Sequence, residues 1–447
     1  SDLTTYIGGS STAGQLSTGT GNTAIGSTAL DSIDSDAVYN TALGLNAATD
    51  LTKGRGNVAI GYNTLKGTTG AYSGGGSRGM YNVAIGYEAM SNTHADLSNY
   101  NVAIGFEALK SLGDNGSGSI AIGRQAFGQK TGNYSDIAIG NYAGYTLTSG
   151  SHQGNTLIGH GAGQYLDGSS GSDARQNTFV GDSAGSRGTT GQINTCIGYS
   201  AGGFTGTGMT GEQNTFVGGY SSGNVTSGSY NTSIGRSAGQ DLNSGSYNTS
   251  VGKGAGQQIT SGSNNLFLGF EAGRTGSPGG AQTTGSNEIF LGDENITAAN
   301  IQVDWTVASD QRDKTDFSSL DIGLDFVNQL KPYTFKWDKR IKYINREGKN
   351  GIITKSIENG ISTEDKWEDT VDLDTITSDG THKEDWLDIG FKAQDVEILE
   401  KAAGYKIADK TNLTTTLTND GKQYGIKYNK FVPILVKAIQ ELSAKND

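Results

Sequence analysis

The first 300 residues repeat one short pattern of polar and apolar positions. An asparagine is followed by Thr or Val, then by a small residue, then by Ile, Leu or Val and a glycine, as in residues 22–26 and 101–105. The motif glycines lie at positions 26, 44, 61, 86, 105, 123, 140, 159, 181, 198, 218, 235, 252, 269 and 292, and most steps between them are 17 to 19 residues. A short fixed period predicts a solenoid in which each unit forms one coil.

Each unit is predicted to carry a short β-strand. Glycine, Asn, Thr and Ser are too frequent for a helix. Residues 23–25 alternate in polarity, and the glycine that follows can adopt the left-handed conformation of a turn. The recurring Ser-Ala-Gly step, at residues 183–185, 200–202 and 237–239, is predicted to form a return strand and the next tight turn. With coils about 4.8 Å apart, the fifteen units predict a rod about 70 Å long.

The coils are expected to stack on one another and on other chains. The apolar residue before each motif glycine is predicted to stack on its copies, and the recurring asparagine to form an amide ladder. A coil this short encloses little volume, so an apolar face remains on its outside. The same face of identical chains is the most available cover, which predicts a closed symmetric oligomer.

The repeat units resemble the head repeats of trimeric autotransporter adhesins. The resemblance covers about residues 20–295 and rests on the recurring Asn-x-Ala-Ile-Gly-x-x-Ala unit. It implies a trimer of parallel β-rolls that binds host surfaces. The connections between the units are longer and more variable here than in the adhesin repeat.

The variable connections are candidate receptor-binding loops, because loops on a rigid scaffold are the usual carriers of recognition. The candidates are Tyr72 and Arg78 in the insertion at residues 67–80, and Tyr165 and Arg175 in the insertion at residues 164–176. The alternative interpretation is that these insertions are neutral surface decoration.

Aromatic residues also recur directly after the motif glycine. They are Tyr62, Tyr87, Phe106, Tyr199 and Phe270. Such rings can stack on sugar rings or pack between the chains of a trimer. Acidic residues are scattered without a pair at a motif spacing, so a glycosidase dyad is possible only across chains.

Composition excludes several other classes. The chain has 447 residues, a formal net charge of −12 and a pI near 4.9. This argues against binding to nucleic acid, which requires clustered Lys and Arg.

The single cysteine, Cys196, excludes an intrachain disulfide and is interpreted as a buried small hydrophobic residue. The four histidines show no ligand spacing, so neither a metal nor another cofactor is predicted. No apolar run approaches the roughly 18 residues of a membrane helix, so we expect no membrane insertion.

A different pattern begins at Ser309, after which only nine of the 70 glycines occur. The predicted elements are a helix over residues 320–330, a strand over 333–337, a helix over 393–402, a hairpin turning at 419–421 and a helix over 433–444. In the last helix Leu435, Ile439 and Leu442 follow coiled-coil spacing, with Phe431 or Val432 one turn earlier. This pattern again indicates oligomerisation.

Four stretches of this second part resemble the C-terminal intramolecular chaperone domain of phage tail spikes and fibres. The domain is classed as peptidase S74 and also occurs in endosialidases. The stretches are residues 309–314, 330–337, 390–396 and 428–442. The resemblance implies a domain that trimerises, templates folding of the β-structured fibre before it, and then cuts itself off through a Ser-Lys dyad. The predicted organisation is a solenoid at 1–300, a linker at 301–308 and a chaperone domain at 309–447.

The resemblance assigns roles in the cleavage segment. Ser309 becomes the nucleophile, Lys314 its base, and Ala308–Ser309 the bond that is cut; Asp310 and Arg312 are expected to orient the loop. A serine hydroxyl reacts once a base takes its proton, and a lysine serves when burial favours its neutral form. On an ideal helix, residues five apart point about 140° away from each other. The segment is therefore predicted to be extended or irregular.

The sequence predicts a homotrimeric phage tail fibre or spike. Its expected partners are a host cell-surface receptor, either polysaccharide or protein, and other virion tail proteins. It is expected in the virion after assembly in the host cytoplasm, with self-cleavage as its own reaction and no turnover of an external substrate. The alternatives are a bacterial trimeric surface adhesin with the same chaperone and a tail spike that depolymerises polysaccharide.

Overall fold

The computed structural model describes residues 5–7, 20–33, 36–66, 79–92, 98–112, 116–131, 135–147, 153–166, 174–188, 190–203, 208–343, 356–358, 361–363 and 372–446. The chain divides into two compact units. The solenoid unit comprises Ser1–Ala272 and Thr283–Phe290, and the C-terminal unit comprises Gly273–Gln282 and Leu291–Asp447. A short insertion of the repeat region therefore belongs to the C-terminal unit.

Sixteen three-residue strands form one sheet in chain order. They are β1 Thr5–Ile7, β2 Thr23–Ile25, β3 Thr41–Leu43, β4 Val58–Ile60, β5 Val83–Ile85, β6 Val102–Ile104, β7 Ile120–Ile122, β8 Ile137–Ile139, β9 Thr156–Ile158, β10 Thr178–Val180, β11 Thr195–Ile197, β12 Thr215–Val217, β13 Thr232–Ile234, β14 Thr249–Val251, β15 Leu266–Leu268 and β16 Ile289–Leu291. Neighbours pair in parallel with equivalent positions aligned, as in Thr178 with Thr195. This confirms the predicted parallel β-solenoid. Strand β1 adds a coil that the motif search missed, because Thr4 replaces the motif asparagine.

The middle residue of each strand from β2 to β16 faces the core. Ala24, Phe179 and Phe216 are fully buried at this position, whereas the residues on either side of it face outward. The residue before the motif glycine therefore lies on the outer face, where the register aligns it with its copies, as in Ile25 with Leu43. Such a face carries an apolar column along the solenoid, in line with the expectation of an outward apolar surface.

Cys196 occupies one of the buried middle positions. The side chain is fully buried in the core, and this burial raises the pKa of its thiol. A thiol in such surroundings stays protonated and inert. The interpretation of Cys196 as a small core residue is confirmed.

The motif asparagines form the predicted amide ladder inside the coils. The side-chain amide of Asn40 donates to Oδ1 of Asn22 at 3.0 Å and to the carbonyl of Gly54 at 2.8 Å. The backbone N–H of Asn40 also donates to that Oδ1, at 2.9 Å. The same three bonds recur at Asn57, and both ladder asparagines are buried. The ladder satisfies buried polar groups that would otherwise be costly.

At two coils an ion pair is added to the ladder, which continues through Ser119 and Asp136. Ser119 and Asp136 stand where asparagine is expected, and the ammonium group of Lys130 lies 2.9 Å from Ser119 Oγ and 2.7 Å from Asp136 Oδ2. The side chains of Lys130 and Asp136 have no solvent exposure. Burial lowers the pKa of Lys130, and the neighbouring Asp136 carboxylate opposes this shift.

The predicted return strand at the Ser-Ala-Gly step is wrong, and the tight turn predicted with it is confirmed. Residues 200–202 form turns in which Ser200 and Gly202 both adopt left-handed conformations, with φ of 51° and 62°. Their N–H groups donate to neighbouring coils, Ser200 to the carbonyl of Asp182 and Gly202 to that of Ser221. The coils are therefore hydrogen-bonded here too. A strand is absent because repeated left-handed residues are incompatible with a pleated backbone.

The motif glycine is required by the close approach of neighbouring coils. Gly61 has a φ of 130°, and a Cβ added to it would collide with the carbonyl oxygen of Gly86 in the next coil. This explains why glycine ends every motif.

The C-terminal unit is α+β. Its helices are α1 Leu324–Gln329, α2 Ala393–Ala402 and α3 Phe431–Asn446, and its strands are β17 Tyr333–Phe335, β18 Ser356–Glu358, β19 Ile361–Thr363, β20 Asp388–Gly390, β21 Thr415–Leu417 and β22 Tyr424–Ile426. Three antiparallel pairs form, β17 with β20, β18 with β19 and β21 with β22. The core contains Ile322, Phe326, Val396, Phe431 and Ile434.

Most predicted elements of this unit are confirmed. Helix α2 and the β21–β22 hairpin lie where expected. Helix α1 is shorter than the predicted 320–330 and begins at Leu324. Its first N–H donates to the carboxylate of Glu441 in α3 at 2.8 Å, so a contact distant in sequence defines the start.

Candidate active site

Residues 308–314 form an exposed segment with one tight turn. A 3-10 helix covers Gln311–Asp313, and the carboxylate of Asp310 caps it by accepting a hydrogen bond from the N–H of Arg312 at 2.9 Å. The turn ends with a hydrogen bond in which the N–H of Lys314 donates to the carbonyl of Gln311 at 3.2 Å. Asp310 and Lys314 are themselves extended. The segment is irregular, as the spacing of the dyad predicted.

The turn brings Lys314 to Ser309. The ammonium group donates to Ser309 Oγ at 2.5 Å and to the Ser309 carbonyl oxygen at 3.3 Å. A neutral amine at this place could take the hydroxyl proton directly. The structure thus brings together the two side chains predicted as nucleophile and base, with Ala308 immediately before them. Their catalytic roles stay predictions.

Asp310 and Arg312 form a forked ion pair beside the dyad. Arg312 Nη2 donates to Asp310 Oδ2 at 2.6 Å, and Nε donates to both carboxylate oxygens at 3.1 and 3.2 Å. The side-chain hydrogen bonds from Arg312, with the one from its backbone N–H, hold the pKa of Asp310 below its usual value. An exposed pair adds little stability. Its effect is to fix the shape of the turn.

The dyad lies in a long exposed stretch, because every residue from 295 to 319 is exposed within one chain. Apolar side chains alternate along it, namely Ile301, Val303, Trp305 and Val307, and each is at least half exposed. Alternation of this kind is typical of a strand with one covered face. In the described part of the chain this stretch joins no sheet.

The candidate loop residues lie partly outside the described residues. Tyr72 and Arg78 are among those not described. Tyr165 is exposed, and the guanidinium of Arg187 lies 5.5 Å from its ring centroid. Arg175 donates from Nε to the side chain of Gln192 at 2.9 Å. Tyr165 and Arg175 thus each contact a residue of another coil, and their role in binding stays a prediction.

The aromatic residues after the motif glycine form a ladder on the outer face. Tyr62 stacks on Tyr87 with ring centroids 5.0 Å apart, and Tyr87 stacks on Phe106 at 5.3 Å. All three rings remain partly exposed. Phe270 contacts the ammonium group of Lys253 at 5.2 Å from its centroid. Both interpretations of these rings, sugar stacking and packing between chains, stay open.

Helix α3 has two apolar faces. Phe431 is only 6% exposed in the core, whereas Val432 is 60% exposed and starts a second row with Leu435, Ile439 and Leu442. Their spacing of three, four and three residues is that of a coiled-coil seam. Of the two residues considered one turn before the seam, Val432 lies on it and Phe431 does not.

One set of exposed aromatic residues was missed. Five tyrosines directly precede motif asparagines and point outward, namely Tyr39, Tyr81, Tyr100, Tyr230 and Tyr247. The signal was available, because aligning the repeats on the asparagine places all five in one column.

Other sites were searched in the described residues. No helix there is long and apolar enough to cross a membrane. The same residues contain no group of three or more His, Cys, Asp or Glu side chains that could hold a metal ion.

Comparison with known proteins identifies one family. Residues 309–360 match the family model described as chaperone of endosialidase, peptidase S74. No curated protein and no solved structure matches the chain. The match begins at Ser309, the residue predicted as nucleophile, and ends at residue 360. The resemblance of residues 390–396 and 428–442 to that domain therefore stays a prediction.

Residues 309–360 thus match chaperone of endosialidase, and this family implies trimerisation. Together with the parallel β-solenoid before it, the match fits a phage tail fibre that ends in a chaperone domain.

Proposed function

We propose that this protein is a homotrimeric, receptor-binding phage tail fibre or spike whose C-terminal unit directs assembly and then cuts itself off between Ala308 and Ser309. The contact between Lys314 Nζ and Ser309 Oγ, at the first residue of a segment that matches chaperone of endosialidase, carries the proposal.

The chemistry follows from the position of Ser309 next to the bond to be cut. Its Oγ attacks the carbonyl carbon of Ala308 through a five-membered ring, and Lys314 as the neutral amine takes the hydroxyl proton. The C–N bond breaks as the Ser309 nitrogen receives that proton, which leaves an ester between Ala308 and the serine oxygen. Water then hydrolyses the ester. The products are a carboxylate at Ala308 and a free Ser309 hydroxyl.

Exposure of the dyad supports coupling of cleavage to assembly. A lysine in water is protonated at neutral pH and becomes a base only when its surroundings disfavour the charge. Within one chain residues 295–319 are all exposed, and their alternating apolar side chains have no cover. Covering this stretch in the trimer would shield Lys314. We therefore expect cleavage only after the three chains have met.

The solenoid explains why a template is needed. Parallel coils contact only their neighbours, and three chains must find one register before any contact between chains forms. A trimeric C-terminal unit raises the local concentration of the chains and aligns them. Its seam of Val432, Leu435, Ile439 and Leu442 is exposed and ready for partner copies. Release afterwards makes assembly kinetically irreversible.

The outer face of the solenoid is the proposed receptor-binding part. Its candidates include Tyr165 and Arg175, together with Tyr72 and Arg78. The receptor would be a polysaccharide or protein of the host surface, and other tail proteins would attach the fibre to the virion. The fibre would form in the host cytoplasm and act in the virion.

Intact mass under denaturing conditions tests the cleavage. The wild-type chain should split between Ala308 and Ser309, while Ser309→Ala should remain at 46.5 kDa. Ser318→Ala is the matched control, because this serine is also exposed in the same stretch but lies away from Lys314. We expect it to split like the wild type. An intact wild-type chain in a purified trimer would contradict the proposal.

A further inference from the structure

The residue directly before each ladder asparagine occupies a column with an unusual backbone. Four coils carry glycine there with φ between 65° and 72°, namely Gly21, Gly56, Gly118 and Gly154. Five coils carry tyrosine there with φ between 58° and 61°, namely Tyr39, Tyr81, Tyr100, Tyr230 and Tyr247. Glycine adopts this conformation without strain, whereas a bulky residue does not.

The tyrosines in this column gain little burial in return. Tyr39 is 68% exposed and Tyr81 is 52% exposed. Other coils carry Ser135, Gln176, Ile193, Gln213, Asn264 or Asn287 at the same place, so the column is mostly polar outside the tyrosines. The left-handed φ belongs to the turn itself, since Gln176 and Ile193 adopt it at the same place. The turn does not explain why large rings are exposed there, and a pair of rings with a gap between them offers apolar surface to a ligand.

The rings stack along the solenoid wherever tyrosines occupy successive coils. Tyr81 and Tyr100 have centroids 5.3 Å apart with planes at 13°, and Tyr230 and Tyr247 are 4.9 Å apart with planes at 1°. Each coil thus adds one ring to the stack at close to the coil spacing.

Gly56 interrupts this stack between Tyr39 and Tyr81. The Tyr39 ring leans over Gly21, where an added Cβ would lie 2.8 Å from its Cδ1, and the Tyr81 ring leans over Gly56 at the same distance. The two rings are in equivalent poses two coils apart, which separates them by about 10 Å. A flat ring placed midway would lie about 5 Å from each, a stacking distance. Among the described residues, the gap is a slot for one ring.

Polar groups surround the slot. Arg55 directly precedes Gly56 and is exposed. Its backbone forms parallel β-bridges with Val38 in the preceding coil and with Met80 in the following coil. Its Nε donates to the carbonyl of Asp36 at 3.3 Å, and the guanidinium retains further donors. The phenol groups of the two tyrosines add further donors and acceptors. A pyranose matches this set, since its flat faces are apolar and its rim carries hydroxyl groups.

We propose that the slot between the rings of Tyr39 and Tyr81, which is left because Gly56 carries no ring, binds one pyranose ring of a host surface saccharide. The proposal rests on the receptor-binding function proposed above and specifies its ligand. A protein partner fits less well, because stable protein interfaces bury about 1,200–2,000 Å² and this slot is one ring thick.

The test uses the trimer as purified, applied to an array of neutral and carboxylated pyranose oligosaccharides. The variant Gly56→Tyr fills the slot with a ring of the chain itself, and the Tyr81–Tyr100 pair shows that the column accepts successive tyrosines. Tyr39→Gly and Tyr81→Gly each remove one of the two rings that border the slot. Glycine is tolerated at this position, because other coils carry it there. Tyr247→Gly, in the distant stack, is the matched control.

We expect the wild type and Tyr247→Gly to bind the same oligosaccharides, and the three slot variants to bind them at least tenfold more weakly. No bound oligosaccharide for the wild type, or equal binding by Gly56→Tyr, would overturn the proposal. Loss of trimer in Tyr39→Gly by light scattering would overturn it too, because the slot would then be an interface between chains. The mass test of cleavage is independent of saccharide, so it distinguishes failure of the slot from failure of the fibre assignment.

Discussion

At the scale of single residues, the carboxylate of Asp310 shapes the cleavage segment. It caps the turn and accepts the forked hydrogen bonds of Arg312, and both contacts hold Lys314 close to Ser309. Because the pKa of Asp310 is lowered in the fold, the fork is complete above the ordinary carboxyl pKa and is lost only as the pH falls further. The pair therefore persists at neutral pH.

Replacing Asp310 by Asn should slow cleavage. The amide loses one acceptor oxygen and the charge, so Arg312 no longer forms the fork and Lys314 is held less well. We expect a rate lower by about tenfold, since small misplacements of reacting groups cost that much or more. The rate is measured by intact mass against time after purification. Asp316→Asn, an exposed carboxylate of the same stretch, should cleave at the wild-type rate, and equal rates for both variants would contradict this role.

The buried Lys130–Asp136 pair makes a second prediction at this scale. Lys130→Ala leaves the Asp136 carboxylate buried without its cation and should cost about 3–5 kcal/mol of unfolding free energy. The double variant Lys130→Met with Asp136→Asn restores a ladder asparagine and should be near neutral. Denaturant unfolding of the cleaved solenoid measures both. Equal loss in the two variants would show that the charge is not the cause.

Some of these residues could be predicted from the sequence and some could not. Ser309 and Lys314 were predicted because their motif is local. The contacts of Lys130 with Ser119 and Asp136 were not predicted, although both residues stand where the motif has asparagine. A substitution shows where the asparagine column changes, but only the folded coil shows which side chain contacts the substituted residues.

At the scale of elements, helix α3 packs on the core of its own chain with one face and exposes a second apolar face, the proposed trimer seam. Its core face holds Phe431, and its exposed face presents the seam. The spacing in the sequence predicted the seam but left Phe431 and Val432 as alternatives. Both lie near the start of the helix, and only the packing of α3 against the core separates them.

The variant Ile439→Asp should prevent trimerisation. Ile439 is 66% exposed at the middle of the seam, and three carboxylates brought together there would repel one another. Gln440→Asp introduces the same charge one position away, outside the seam, and should leave the trimer intact. Light scattering on the Ser309→Ala background measures the native mass without loss of the C-terminal unit. A trimer in Ile439→Asp would exclude this face as the seam.

The short strands of the solenoid were predicted because alternation and a following glycine are local signals. The conformation of the Ser-Ala-Gly step was predicted only in part, because its composition fits either a strand or a turn. Its left-handed residues at 200 and 202 bond to the coils on both sides, and this arrangement depends on stacking. Strand β1 was missed because the motif search relied on the asparagine.

At the scale of the whole molecule, the fold class followed from the period of the repeat and the division at Ser309. The column of exposed tyrosines was missed, although it becomes visible in the sequence once the repeats are aligned on the asparagine. The central claim concerns how these parts cooperate. We propose that the C-terminal unit assembles three solenoids and is then dispensable.

The most direct measurement compares native masses by light scattering. Residues 1–308 obtained by self-cleavage of the full chain are predicted to be a soluble trimer, stable without the released unit. The same 308 residues expressed without residues 309–447 should fail to reach that trimer, because nothing brings the chains into register. A trimer of equal mass and yield from residues 1–308 alone would contradict the account.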